Sequence, residues 1–294
     1  SKFHYESLQI EEPIDFYLDK IRDKVKIEGI SNSLLLAAKE IEKTNIDKSL
    51  LILKGLLQDT MGDVTEGRVE DISDGKKRKE EYLKEKENPK GISTGYSLLD
   101  ELSGGQQPGD LWVLSGRPNV GKTWILLNMF KTACVAGKRC LFFSMEISVQ
   151  ECWQRFDALY FGIPWGDLRR AKLNEYDEGR YLRELDAAVD KKNWIVIGDG
   201  AIELSSDIGL YIQKYNPEIV FVDALYQFGA LQGNDFERVS NTVRNLKRIA
   251  MKNAVPIHAT TQINRAATTT EDGIARLEHL AFSDALGMDS DFVQ

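Results

Sequence analysis

Cysteine is scarce in this 294-residue chain. Cys134, Cys140 and Cys152 show no C-x-x-C spacing and have no histidine close by in sequence. That pattern excludes a disulfide framework and argues against a zinc site. Reduced, partly buried core cysteines of a cytosolic protein are expected instead. Histidine is equally thin. His4, His258 and His279 are scattered without metal-ligand spacing, and His258, inside an apolar run, reads as a satisfied core residue. No apolar stretch approaches the ~20 residues needed to cross a bilayer. No signal-peptide pattern opens the chain, which begins at Ser1 rather than Met. No membrane association is expected. Basic excess is missing too, since the formal net charge is −8. That excludes a protein that coats nucleic acid through its whole surface, but not a few basic side chains on a narrow inner surface.

What remains is an ordinary globular composition, 42% hydrophobic and 29% charged. The length suits one large domain, or an α/β domain with a smaller companion. No repeat period is visible. Residues 1–66 read as helical, with apolar rhythm over Pro13–Lys24, Ser31–Lys43 and Ile46–Leu57. Residues 67–90 form a charged linker helix whose main apolar side chains are Tyr82 and Leu83, broken by Pro89-Lys90-Gly91. Such a polar helix is either a spacer or docks through those two residues onto another subunit. From 91 to 294 strands and helices alternate, the pattern of an open, mostly parallel sheet. Expected strands are Leu111–Leu114, Arg139–Ser144, Trp194–Ile197, Glu218–Asp223 and Pro256–Thr261. Expected helices are Trp124–Val135, Ser148–Phe161 with a Ser148/Glu151 capping box, Asp207–Tyr215 and Phe236–Lys252.

One octapeptide carries chemistry outright. Gly116, Arg117, Pro118, Asn119, Val120, Gly121, Lys122 and Thr123 match G-x-x-x-x-G-K-[ST] at every fixed position. A strand precedes the loop and a helix follows it. In that setting backbone N–H groups converge on a polyphosphate, helped by the helix dipole. Lys122 can reach the terminal phosphates and Thr123 can offer its hydroxyl to Mg²⁺. The chain is expected to bind a nucleoside triphosphate.

Three further positions sit at strand ends. Asp223 closes Ile219-Val220-Phe221-Val222, where an acid can hold Mg²⁺ through water beside the P-loop, or simply initiate a turn. Glu146 follows Leu141-Phe142-Phe143-Ser144 and can be a base for hydrolysis, or a first-turn glutamate complementing a helix dipole. Gln262 ends Ile257–Thr261 and can sense a γ-phosphate, or face solvent.

Taken in order, these segments resemble the RecA-like ATPase domain of bacterial and phage replicative helicases, the DnaB family. GISTGYSLLDELSGGQQPGDLWVLSGRPNVGKT, Gly91–Thr123, looks like that family's lead-in to its P-loop. FSMEI, Phe143–Ile147, resembles the segment whose glutamate activates water, which favours Glu146 as the base. Arg155 falls where the family has an arginine facing the nucleotide. DLRRAKL, Asp167–Leu173, is similar but less diagnostic. IVFVDALYQF, Ile219–Phe228, resembles the magnesium strand, and VPIHATTQINR, Val255–Arg265, the sensor strand. SDALGMDSDFV, Ser283–Val293, is similar to the last motif. Three departures stand out. Ala224 replaces a frequent tyrosine, and Gly287-Met288 replaces a more polar pair. The family's basic finger residues, which reach a neighbour's ATP, are expected beyond Gln294, so the sequence reads as truncated.

The resemblance implies an ATP- and Mg²⁺-dependent helicase subunit working 5′→3′ in a homo-oligomeric, hexameric ring on single-stranded DNA. Primase and a helicase loader are implied partners, in a bacterial or phage-infected cytoplasm. Loops near 229–235 and 264–280 would line a central channel, with Arg265 and Arg276 as candidates for DNA phosphates. Those arginines could equally balance Glu271 and Glu278. Two other readings share the residues. One is a RecA-like recombinase or recombination mediator; the other is a nucleotide-gated assembly module with little turnover.

Overall fold

A computed structural model describes residues 14–46, 48–50, 52–53, 56, 73–89, 91–188, 194–198, 200, 202, 205–228, 235–262 and 289–293. The chain divides into two units, Ser1–Asp74 and Gly75–Gln294. In the first, α1 (Ile14–Glu42) is one continuous helix where two were expected. Gly29 lies within it, with open space where a Cβ would be. A helical glycine costs about 1 kcal/mol relative to alanine, and propagation from both sides offsets that. Of the expected helix over Ile46–Leu57, the described residues are helical.

The second unit begins with α2 (Gly75–Glu87), the charged helix, in which Tyr82 and Leu83 are both exposed. The preceding part of the expected linker, 67–72, lies outside the described residues. Next, Ile92 bridges Gln106 around the short α3 (Ser97–Ser103). Gly91 is required here, because a Cβ at that position would lie 1.9 Å from the Gly104 carbonyl oxygen.

The α/β core follows as β1 (Leu111–Gly116), α4 (Lys122–Val135), β2 (Cys140–Ser144), α5 (Val149–Phe161), α6 (Trp165–Arg169) and α7 (Glu175–Ala188). It continues through β3 (Trp194–Gly198), α8 (Ser205–Tyr215), β4 (Ile219–Asp223), a 3₁₀ turn at Leu225–Gln227, α9 (Asp235–Asn253), β5 (Ile257–Gln262) and β6 (Phe292–Val293). The strand order is β3-β2-β4-β5-β1-β6, with every pair parallel. The expected strands are all present within a residue or two at each end. Helices α6 and α7 had no counterpart in the sequence expectation.

Strand side chains alternate between two covered faces. Leu141, Phe143, Val220 and Val222 pack with Ile208 and Ile212 of α8 and Val239, Val243 and Leu246 of α9. Cys140, Phe142, Ile219 and Phe221 pack with Leu126, Phe130 and Cys134 of α4 and Cys152 and Phe156 of α5. The three cysteines are therefore fully buried rather than partly so. A smaller cluster of Phe161, Ile163, Leu168 and Tyr181 seats α6 and α7 beside α5. His258 is buried too, but only half satisfied: its Nδ1 pairs with Gln106 Oε1 at 3.0 Å, while Nε2 has no partner among the described residues.

β6 is short but well tied. Trp112 pairs with Phe292 in register, and their rings stack at 4.5 Å. Asp291 accepts the Leu111 N–H at 2.7 Å and an ammonium hydrogen of Lys247 at 2.6 Å.

Candidate functional site

Sheet register assembles the site. Gly116 of β1 lies opposite Gln262 of β5, and Ser144 of β2 opposite Asp223 of β4. The carboxyl ends of four adjacent strands thus meet at one edge, where parallel α/β sheets present ligand crevices. The loop Arg117–Gly121 turns back over that edge before α4 begins. Gly121, at the helix N-cap, has φ +97°, a left-handed conformation that strains any residue with a Cβ.

Asp223 lies beneath the loop with both carboxylate oxygens occupied. The Thr123 hydroxyl donates to Oδ2 at 2.7 Å and the Thr260 hydroxyl donates to Oδ1 at 2.5 Å. The following peptide, Asp223–Ala224, is cis. Lys122 is nearly buried, and its ammonium donates to the Gly116 and Arg117 carbonyls at 3.0 and 2.8 Å. Burial depresses its pKa, while the charges of Glu146 and Asp223 oppose that shift.

Glu146 sits in the turn before α5, not in its first turn. The N-cap is Ser148, whose hydroxyl accepts the Glu151 N–H at 3.1 Å, so Glu151 fills the dipole-facing position. The expected capping box is only half formed, because the Glu151 carboxylate turns to Arg155 at 2.6 Å. Burial raises the Glu146 pKa and the Asp223 charge adds to it; Lys122 and Arg155 pull it back. Gln262 does not simply face solvent: its Nε2 donates to the Tyr226 hydroxyl at 2.7 Å.

These groups surround a cavity of about 400 Å³, within the range of small-ligand sites. Pro118, Asn119, Gly121, Lys122, Thr123, Trp124, Glu146, Ile147, Arg155 and Gln262 line it. Gly116 and Arg117 contribute through their carbonyls to Lys122, and Val120 is exposed. Glu146 also lines a second cavity of about 380 Å³ with Ser144, Ser148, Gly198 and Gln227. Arg265, Arg276, Gly287 and Met288 lie outside the described residues.

For a metal, the available donors are hard oxygens: the Thr123 hydroxyl and the Asp223 carboxylate. No group of three His, Cys, Asp or Glu among the described residues could hold an ion by itself. That set fits Mg²⁺, which keeps water and takes phosphate oxygens rather than a full protein cage.

Sequence reasoning missed Thr260, which points at Asp223 from the neighbouring strand, and the two tryptophans at Arg155. The guanidinium carbon of Arg155 lies 5.4 Å from the Trp124 ring and 5.1 Å from the Trp165 ring. Trp124 was findable, directly after Thr123. Trp165 gave no signal, since it lies outside every recognised segment.

Known proteins resemble the chain throughout. The replicative DNA helicase DnaB of Rickettsia bellii is 28% identical over 315 residues, covering 98% of this chain and 62% of that protein. Its counterpart in Geobacillus stearothermophilus is 28% identical over 211 residues, covering 69% and 46%. The chain thus spans about half to three fifths of the length of these relatives. Two solved structures share the fold. One is described as an ATPase domain, which aligns with a TM-score of 0.66 at 21% identity, over 76% of this chain and 83% of that one. A DnaB-like replicative helicase described with its interactions with primase gives 0.66 at 20%, over 92% and 67%. A family model, that of the DnaB-like helicase C terminal domain, matches residues 91–294, the stretch that contains the whole crevice. The chain belongs to the DnaB-like helicase C-terminal domain family.

Proposed function

We propose that this chain is the ATP-hydrolysing subunit of a replicative DNA helicase that moves along single-stranded DNA and separates duplex. The observation that carries the reading is the family match falling on a cavity lined at once by Lys122, Thr123, Glu146 and Gln262. Lys122 exchanges its loop carbonyls for terminal phosphate oxygens, while loop N–H groups and the start of α4 hold the rest of the polyphosphate. The Thr123 hydroxyl, and Asp223 through water, would hold Mg²⁺, which when bound would supply neutralising charge to the phosphates.

Glu146 orients water and accepts its proton, a role suited to a carboxylate whose pKa burial has raised. Gln262 senses the γ-phosphate, and its bond to Tyr226 carries the loss of that phosphate into the turn after β4. Charge that stabilises the transition state comes from the next subunit. Arg155 faces the nucleotide, and Arg265 and Arg276 are the DNA-phosphate candidates. A few such contacts per subunit, repeated around a hexameric ring, reconcile DNA binding with a net charge of −8.

Residues 1–66 are the helical N-terminal region, 67–90 a linker docking on an adjacent subunit, and 91–294 the RecA-like motor. Primase, named with one solved neighbour, is extended to this chain as a partner together with a loader, in the cytoplasm. The test is a forked-duplex unwinding assay with ATP and Mg²⁺, beside single-stranded-DNA-stimulated hydrolysis. Unwinding supports the reading. Strand exchange without unwinding replaces it with a recombinase, and tight ATP binding with negligible turnover on DNA with an assembly module.

A further inference from the structure

Arg155 sits in an unusual seat. Its guanidinium lies against two indoles that meet almost at right angles, Trp124 and Trp165, with ring centroids 5.6 Å apart and planes at 85°. Both contacts are within the range of cation–π attraction. Glu151 receives one Nη2 hydrogen at 2.6 Å, and Nε is buried without a partner among the described residues. The three anchors come from different elements: Trp124 from the first turn of α4, Trp165 from the start of α6, Glu151 from the first turn of α5. Arg155 lines the same cavity as Lys122 and Glu146, yet it makes no ion pair with Glu146 among the described residues.

An arginine this close to two carboxylates has an obvious competing fate, which is to collapse onto the base. A guanidinium loses little hydration when it stacks on an aromatic face, so indole walls can hold it without neutralising it. Two walls at right angles fix both its position and its plane. Glu151, which does not line the cavity, holds it along the helix at i,i+4.

We infer that Trp124 and Trp165 are positioning residues, forming a corner that aims the Arg155 charge at the terminal phosphate and keeps it off Glu146. This rests on the nucleotide-site reading of the cavity. The corner then acts on the γ-phosphate, beside Lys122, and not on the α- and β-phosphates, which the loop N–H groups cradle. Trp165 thereby becomes part of a triphosphate-versus-diphosphate discriminator, although it lies in none of the segments that carry the family resemblance.

The experiment measures affinity of the full chain for the non-hydrolysable triphosphate AMPPNP and for ADP, both with Mg²⁺, by calorimetric titration. Trp165→Leu is expected to weaken AMPPNP by about tenfold, with ADP unchanged within about twofold. Trp165→Phe restores most of the loss, because a phenyl face still receives the cation. Trp124→Leu reports on the same corner independently, and melting curves verify that each variant is folded. In an Arg155→Met background the Trp165→Leu change has no further effect. Equal weakening of both ligands, or an undiminished effect in that background, overturns the inference. Failure of the unaltered chain to bind either ligand overturns the nucleotide-site reading itself, a result separable from the other two.

Discussion

The Thr123 hydroxyl donates to Asp223 across 2.7 Å, joining the first turn of α4 to the tip of β4. Thr260 donates to the other oxygen of the same carboxylate at 2.5 Å. Asp223→Asn retains the shape but leaves an amide nitrogen, a donor, facing a hydroxyl donor. That hydroxyl must turn to accept instead of donate, and both bonds lose the charge of the carboxylate, at a cost of about 1–3 kcal/mol. The expected outcome is a lower melting temperature without ligand, together with loss of Mg²⁺ enhancement of nucleotide binding. Titrating nucleotide with and without Mg²⁺ separates the two effects.

On the proposed reading, Lys122 and Glu146 divide binding from chemistry. Lys122→Ala removes the cation that now rests on two loop carbonyls, and nucleotide-dependent activity is expected to vanish. Glu146→Gln keeps size and polarity but cannot accept a proton. ATP binding should stay within about threefold, with hydrolysis falling roughly 10²–10⁴-fold. Normal hydrolysis by the glutamine variant would reassign the base.

Asp157 provides a pH signature away from the cavity. It is buried on α5, accepts the Tyr181 hydroxyl at 2.7 Å, and burial nonetheless raises its pKa to about 6. In the unfolded chain a carboxyl of this kind titrates near 4. Between those values the folded state holds the extra proton, so stability is full below about pH 4 and declines as pH rises through about 6. Asp157→Asn still accepts from Tyr181 and carries no charge. It should therefore be more stable than the parent above pH 6, by on the order of 2 kcal/mol, and match it at pH 4. Denaturant midpoints at the two pH values test this.

Phe221 tests the core on which the site rests. Fully buried on β4 two residues before Asp223, it meets Phe130 edge-on at 5.6 Å and stacks with Phe142 at 6.3 Å. Phe221→Ala should cost about 3–5 kcal/mol. Because β4 carries Asp223, lost Mg²⁺ enhancement should accompany lost stability, which parallel melts and titrations can establish.

Strand positions were legible because runs such as Ile219–Val222 have no polar face to expose, which leaves a doubly covered strand as their natural home. The P-loop was legible for a chemical reason: glycine, lysine and threonine at fixed spacing make one kind of anion cradle. Helices α6 and α7 were not. The first is a single turn with too few residues to show a period, and the second shows, among its described side chains, Tyr181 as its one strongly buried apolar residue. The Arg155 corner was invisible because it depends on how α6 turns back toward α4, a tertiary fact with no local pattern. Continuity of α1 was hidden by Gly29, whose local preference argues for a break that the longer helix overrides.

The pairing of Phe292–Val293 with β1 has a consequence for handling this protein. Without that two-residue strand, the strand leading into the phosphate loop becomes the outermost rim of the described sheet, with unmatched N–H and C=O groups and Trp112 stripped of its stacking on Phe292. Such a rim recruits other chains by strand addition. Trimming the chain ahead of Asp291 should therefore make it self-associate before it impairs nucleotide capture, so insolubility of a shortened version would be a property of that exposed rim rather than of the candidate site.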